Sequence, residues 1–239
     1  MTEEELNNII GGLKDNEDTI YSLTERAKKY KQEKKFSEAE CIWKKLSEKV
    51  KNEIYYIQQQ AFCRYKSGKP TKCKALTDAL KIIESISEST DTETLGITGA
   101  INKGLWEEVK DESYLNEALK FYKKGWNLHE DYYTGENYAF CCEQKSLLKK
   151  GEQKIFYEYN AKMIREEIIL ILLDSLKEEQ PNDVKWKYAT LSNCYLAIGK
   201  QSEAEDNEKL FLKENPIIWE IETFNKSKKY INEYLKINK

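Results

Sequence analysis

A single histidine, His129, is present in the whole sequence, and this scarcity limits the reactions that the side chains could catalyse. Serine and cysteine nucleophiles need a nearby base, and histidine supplies it in the common triads. Triad chemistry would therefore depend on His129 alone, which we predict to lie at a helix end, where histidine is favourable. The sequence also lacks the G-x-x-x-x-G-K-[ST] loop that cradles nucleotide phosphates. These absences predict a protein that is not an enzyme and has no catalytic residues.

Metal-binding signatures are missing as well. The chain has six cysteines but no C-x-x-C pair, and it has no second histidine to complete a ligand set. We interpret the cysteines as reduced thiols that serve as small apolar residues in a cytoplasmic protein. A redox role for the adjacent Cys141 and Cys142 stays open, although neighbours on a helix point about 100° apart and are poorly placed to bridge each other. We expect neither a metal nor a cofactor.

Long hydrophobic runs and a basic excess are also lacking. No segment approaches the roughly 20 apolar residues that span a bilayer, so we expect no membrane partner. The formal net charge is −3, whereas a nucleic-acid partner normally requires a basic surface. The N-terminal MTEEELNNII is acidic, unlike a secretory signal. The partner that remains is a protein or peptide segment, with a homo-oligomer also possible.

Proline and glycine are scarce, with three and ten residues in 239, so long segments can stay helical. Residues 20–53 show the clearest pattern. Ala27 and Ala39 are small, and Trp43 and Leu46 follow at the aromatic and apolar positions of a tetratricopeptide unit. A bulky residue at either alanine would push the two helices of the pair apart. This segment therefore predicts a helical hairpin of the tetratricopeptide type.

Related patterns continue along the chain, in residues 54–88, 93–128, 132–178 and 183–216. In residues 93–128, Gly96 and Ala118 lie further apart than the small residues of a standard unit. We therefore expect an insertion in the turn at residues 107–113. The prediction is an all-α fold, a right-handed α-solenoid of about five tetratricopeptide-like helical hairpins with terminal capping helices.

Three segments would make up this architecture. Residues 1–19 are assigned to an N-terminal cap or short helix, residues 20–216 to the repeat domain, and residues 217–239 to a C-terminal capping helix. The return helix of the fourth unit is long, and its IILILL stretch at residues 168–173 is apolar all round. Such a helix must be covered on several sides, either by neighbouring repeats or by a partner or second copy.

Candidate binding residues follow from the repeat register. In a tetratricopeptide stack, the first helix of each pair lines the concave face, which solenoids use for binding. The lysine run at residues 28–35 is either a solvated face or one end of a groove for an acidic peptide. The predicted partner-binding residues are Lys28, Lys31, Gln58, Phe62, Tyr65, Lys103, Tyr133, Asn137 and Asn193. For Tyr133 and Asn137, a structural role in closing the YYTGEN turn is an equally good interpretation.

Several motifs occur in the order found in one known family. They are YIQQQAFCRYK (56–66), TLGITGAINKGLW (94–106), ALKFYKKGW (118–126), DYYTGENYA (131–139) and KWKYATLSNCYLAIGKQSEAE (185–205). Over roughly residues 20–225 the chain resembles the TRAFs-binding domain family. That family forms the tetratricopeptide-rich central regulatory region of apoptosis signal-regulating kinases and also occurs in bacterial proteins.

The resemblance implies a scaffold that recruits or regulates signalling proteins. No kinase domain is present, the chain begins with its own Met, and its Lys-, Asn- and Ile-rich composition is typical of an AT-rich bacterial gene. The eukaryotic partners, TRAF proteins and thioredoxin, are therefore not carried over. Two functions stay open: an adaptor that binds a protein segment in stress or defence signalling, and an obligate regulatory subunit of an operon-encoded effector enzyme. The second would bind through the long fourth-unit helix and the C-terminal cap.

Overall fold

The structure, a computed structural model, describes residues 17–51, 53–178 and 182–238, and within them every regular element is an α-helix. These helices are α1 (Glu17–Gln32), α2 (Phe36–Lys49), α3 (Ile54–Ser67), α4 (Lys72–Glu84), α5 (Thr92–Val109), α6 (Glu112–His129), α7 (Tyr132–Leu148), α8 (Gly151–Ser175), α9 (Val184–Ala197), α10 (Gln201–Lys213) and α11 (Ile218–Ile237). The predicted all-α fold is confirmed. The expected cap at residues 1–19 lies almost entirely outside the described residues.

The chain forms two compact units. Unit 1 comprises Met1–Phe121 and unit 2 comprises Tyr122–Lys239, so the division falls inside α6. In unit 1 each helix from α1 to α5 packs on the next one, and α3 also contacts α5. In unit 2 the same order holds from α7 to α10, and α9 also contacts α7 and α11. Contacts between every second helix, added to those between neighbours, are the pattern of stacked helical hairpins.

The first hairpin confirms the register expected from the sequence. Ala27, Ala39, Trp43 and Leu46 are all 0% exposed. The Trp43 ring contacts Tyr55 edge-on, with 5.6 Å between ring centroids, and it stacks on a second tyrosine of α3. The small residues let α1 and α2 approach closely, and the indole fills the space between α2 and α3.

The next helices of unit 1 meet through a glycine. A Cβ added to Gly104 of α5 would lie 2.7 Å from Leu76 Cδ2 of α4, so any larger residue requires the leucine side chain to move. The connection from α3 to α4 begins at Gly68. Gly68 ends α3 with φ of +62°, a left-handed conformation that glycine adopts without strain.

The connection between α5 and α6 differs from the prediction. An insertion was expected at residues 107–113, but α5 continues to Val109 and α6 begins at Glu112. Lys110, with φ of 57°, and Asp111 make the whole turn. The expected insertion is therefore wrong: the additional residues lengthen the two helices, each of which has 18 residues.

Unit 2 is organised around the long helix α8, which has 25 residues. Its IILILL stretch is only partly enclosed by the unit. Ile168 and Leu172 are 0% and 1% exposed, whereas Leu170 and Leu173 are 68% and 41% exposed. One side of the stretch is therefore core, and the other side is an apolar surface.

The last helix, α11, packs on α9. Its Phe224 also lies against Phe211 of α10, with ring centroids 5.0 Å apart. The helix begins just after Ile217, whose backbone N–H donates to Glu220 Oε2 at 2.8 Å. That the segment 217–239 acts as a cap stays a prediction.

Candidate functional site

Three of the predicted binding residues meet on the facing surfaces of α1 and α3. The Lys31 Nζ atom lies 4.3 Å from the centroid of the Phe62 ring, and Phe62 contacts Tyr65 edge-on at 5.4 Å. Lys66 approaches both rings, at 5.6 Å and 5.3 Å from their centroids. These four residues are called the Lys31 patch below. The sequence register missed Lys66, which lies next to Tyr65 on the exposed side of α3.

Hydrogen bonds orient the lysines of α1. Lys31 Nζ donates to Gln59 Oε1 at 2.7 Å, which holds the ammonium group beside the Phe62 ring. Lys28 is exposed and donates to Glu25 Oε1 at 2.8 Å. This hydrogen bond raises the pKa of Lys28. Of these two lysines, only Lys31 is part of an aromatic contact.

Gln58 and Lys103 occupy different environments in unit 1. Gln58 is 5% exposed. Its amide donates to Asp91 Oδ1 at 2.6 Å and to Thr94 Oγ1 at 2.8 Å, which ties α3 to the start of α5. Lys103 is half-buried on α5. The Gln58 amide is thus used within the unit, and partner contact by either residue stays a prediction.

The predicted residues of unit 2 have clear internal roles. Tyr133 is 46% exposed and lies edge-on against Tyr122, with 6.3 Å between ring centroids. Asn137 Nδ2 donates to the Tyr133 carbonyl at 2.8 Å, within α7. Asn193 is 4% exposed, and its Nδ2 donates to Glu136 Oε1 at 2.9 Å. Asn193 therefore joins α9 to α7, and its contact with a partner stays a prediction.

Near Asn193 lies a buried ion pair that sequence reasoning missed. Arg165 of α8 and Glu143 of α7 are each 2% exposed. The Arg165 Nε and Nη2 atoms both lie 2.8 Å from Glu143 Oε1. Burial raises the pKa of the Glu143 carboxyl, and the Arg165 guanidinium acts against this rise. In a chain with 34% charged residues, no sequence signal separates this pair from the solvated ones.

Three polar atoms of this cluster have no hydrogen-bond partner within the described part of the chain: Glu143 Oε2, Arg165 Nη1 and Asn193 Oδ1. The three residues belong to α7, α8 and α9. A buried pair of this kind is costly to break, since a lone buried charge remains. The cluster therefore restricts how the three helices can pack, which is a structural role.

The described residues were compared with the arrangements that metal binding and catalysis require. None of their His, Cys, Asp and Glu side chains form a group of three or more suited to a metal ion. His129 is the last residue of α6, as predicted. Burial raises the pKa of the Cys63, Cys142 and Cys194 thiols to about 12, so they stay protonated at neutral pH. Among the described helices, none has the length and apolar character that crossing a membrane requires.

Comparison with known proteins identifies the class of this fold. The family model for Tetratricopeptide Repeats-Sensor matches residues 35–142, from the start of α2 into α7. The crystal structure of a thermophilic TPR protein from Thermus thermophilus superimposes with a TM-score of 0.61 at 12% sequence identity. The match covers 87% of this chain and 98% of that chain. No curated protein matches the sequence.

The chain thus has the fold of a tetratricopeptide-type helical repeat protein. Helical repeat folds present extended concave surfaces that are often used for binding. At 12% identity the structural match shows the fold alone. The finer resemblance to the TRAFs-binding domain family stays a prediction.

Proposed function

We propose that this protein is a non-enzymatic adaptor that binds an acidic segment of a partner protein through the Lys31 patch. The observation that carries the proposal is the contact of Lys31 with Phe62 and Gln59, at 4.3 Å and 2.7 Å. It joins a fixed ammonium group to an aromatic surface. A carboxylate next to an apolar side chain would find both an ion pair and a ring to pack on.

The charge around the patch favours an acidic partner. From residue 26 to residue 35 the chain carries six basic residues and one acidic residue: Arg26, Lys28, Lys29, Lys31, Lys34 and Lys35, with Glu33. Glu33 is bound to Lys35 at 2.7 Å and Glu25 is bound to Lys28 at 2.8 Å, so acidic neighbours pair with two of the six. Cations gathered on one helix end attract carboxylates and raise the rate of encounter.

A role in stress or defence signalling is the finer part of the proposal. It is supported by the motifs shared with a family of signalling scaffolds and by the word Sensor in the name of the matching family model. The partner would then be an effector protein of the same cell, in the cytoplasm of a bacterium. This step rests on resemblance, because the fold alone serves many functions.

The test is charge reversal at Lys31 of the patch and at Lys28, which lies three residues before it on α1. A partner is first identified by cross-linking in the native host with the tagged chain, and its affinity is then measured by calorimetry. We expect Lys28→Glu with Lys31→Glu to weaken binding on the order of tenfold, since two attractive contacts become repulsive. Lys44→Glu with Lys45→Glu on α2 is the matched control. Unchanged affinity in the first variant, with its fold intact by circular dichroism, would place the groove elsewhere.

A second candidate function is an obligate regulatory subunit that binds an enzyme through α8 and the C-terminal helix. The apolar surface of α8 favours it: Ile155, Phe156, Tyr159 and Leu170 are each more than half exposed, at 65%, 58%, 62% and 68%. We expect the isolated chain to bind a hydrophobic dye or to self-associate. A monomer that binds no dye would exclude this function.

A further inference from the structure

A second surface with different chemistry lies in unit 2. It is a cleft of about 390 Å³ where the end of α6 meets the second half of α8. The residues that line it are Trp126, Asn127, Glu130, Glu167, Leu170 and Ile171. Its volume is in the range of natural binding sites, which is about 300–1,000 Å³. None of these residues belongs to the Lys31 patch.

The apolar wall of the cleft is held in place by the core. Trp126 is 7% exposed, so only a small part of its side chain is accessible from the cleft. A Cβ added to Gly135 of α7 would lie 2.5 Å from Trp126 Cε3, so the indole rests directly on the helix backbone. Because this side of the cleft is already ordered, little conformational entropy is lost there when a ligand binds.

The α8 side of the cleft continues as a ridge. Glu167, Leu170 and Leu173 follow one another at a spacing of three residues, which places them along one side of the helix. Leu170 is 68% exposed and Leu173 is 41% exposed, whereas Leu172 is 1% exposed. The ridge therefore points away from the core of the unit and can insert into a groove of another helix.

The rim of the cleft is negatively charged. Among the described residues, no lysine or arginine forms a salt bridge with Glu130 or Glu167. By contrast, two neighbouring carboxylates of α8 are paired within the helix: Glu158 lies 3.5 Å from Lys154, and Glu166 lies 3.8 Å from a lysine one turn away. Glu130 and Glu167 therefore line the cleft beside Trp126 and Leu170 without a basic partner.

We infer that this cleft binds a basic amphipathic helix of a partner protein. The apolar face of that helix packs on Trp126 and Leu170, and its lysine or arginine side chains pair with Glu130 and Glu167. A long basic side chain suits the cleft, because its alkyl stem covers apolar surface while its charge reaches a carboxylate. A groove between two helices is a common receptor for an amphipathic helix.

The inference rests on the scaffold function proposed above but concerns a different surface and a partner of opposite charge. An acidic helix would place like charges at the rim, and a second copy of this chain would present α8 to itself, with its own carboxylates opposed. Charge complementarity thus selects the basic helix. The other occupants become outcomes of the test.

The test uses the full chain and a synthetic helical peptide with leucine on one face and lysine on the other. A matched peptide carries glutamate in place of every lysine. Fluorescence anisotropy of the labelled peptides measures both affinities. We expect the lysine peptide to bind and the glutamate peptide to bind at least about tenfold more weakly, since like charges then meet at the rim. Equal binding of both peptides would overturn the inference.

Variants locate the binding surface. Glu130→Gln with Glu167→Gln should lower the affinity for the lysine peptide about tenfold, since two ion pairs are lost. Glu203→Gln with Glu222→Gln removes the same charge from exposed sites of unit 2 and should change affinity by less than about twofold. An equal loss of affinity in the two double variants would mean that the peptide is attracted by the overall charge of the protein, and this result would overturn the inference.

Two further measurements separate this site from the others. Bound peptide should slow hydrogen exchange at residues 126–130 and 167–173, and Leu170→Ser should weaken binding without unfolding. Lys28→Glu with Lys31→Glu should leave peptide binding unchanged, so failure of the Lys31 patch and failure of this cleft are distinguishable. Slowed exchange only outside the cleft, or a stable dimer in which α8 is already protected, would contradict the inference.

Discussion

At the scale of single residues, Trp43 shows how a residue placed by the repeat pattern stabilises the packing of neighbouring helices. Its side chain is 0% exposed, and its ring centroid lies 5.6 Å from that of Tyr55 and 5.8 Å from that of Tyr56. The small residues Ala27 and Ala39 are equally buried and leave the space that the indole fills. The hairpin of α1 and α2 is thereby attached to α3, which carries the aromatic residues of the Lys31 patch.

Replacing this indole tests the repeat register. We expect Trp43→Ala to lower the free energy of unfolding by about 3–5 kcal/mol, because a large cavity replaces the ring. Trp43→Phe is the control and should cost less, since a smaller ring keeps part of the contact with both tyrosines. Urea unfolding followed by circular dichroism measures both changes. A loss below about 1 kcal/mol in Trp43→Ala would show that the register is wrong.

At the scale of elements, glycines set the distances between helices. A Cβ on Gly135 of α7 would lie 2.5 Å from Trp126 Cε3 and 3.0 Å from Ile168 Cδ1. The three atoms nearest to a Cβ on Gly104 of α5 all belong to the Leu76 side chain, and the nearest is a terminal methyl group at 2.7 Å. A buried indole ring has little room to move, whereas a leucine methyl group can rotate away.

The two glycines should therefore respond differently to the same substitution. We expect Gly135→Ala to lower the free energy of unfolding by about 1–3 kcal/mol, since the overpacking outweighs the gain in helix propensity of about 1 kcal/mol. Gly104→Ala should be close to neutral. Urea midpoints of the two variants provide the comparison. Equal midpoints would mean that α6 and α7 do not approach as closely as described.

At the scale of the whole molecule, buried titratable groups determine how stability depends on pH. The thiols of Cys63, Cys142 and Cys194 lie in the cores of both units, and burial raises their pKa from 9.0 to about 12. Above pH 9 the unfolded chain therefore loses thiol protons that the folded chain keeps. Folding then becomes linked to proton uptake, and stability falls as the pH rises from about 9 towards 12.

Alkaline unfolding tests this linkage. We expect the free energy of unfolding to be constant near neutral pH and to fall above about pH 9, by up to about 1.4 kcal/mol per pH unit for each buried thiol. Cys194→Ala should make the fall less steep, and Cys73→Ala, at an exposed thiol, should leave it unchanged. Urea midpoints between about pH 7 and pH 10.5 measure the slopes. Identical slopes in the two variants would count against burial of Cys194.

Much of the fold could be predicted because helical periodicity is local. The burial of Ala27, Ala39, Trp43 and Leu46 and the unusual length of α8 follow from the spacing of small and apolar residues. The α5–α6 turn could not be predicted, because spacing between small residues does not show whether extra residues enter a loop or lengthen helices. Packing against neighbouring helices decides that length.

The sequence by itself determined the all-α class and the helical hairpins, since both depend on spacing along one or two adjacent helices. Only the tertiary structure decided that Asn193 faces Glu136, that Arg165 is buried against Glu143, and that Glu167 stays unpaired beside a cleft. The physical reason is that periodicity shows which face of a helix is apolar. The surroundings of a polar side chain depend on the neighbouring helix, which a distant segment supplies.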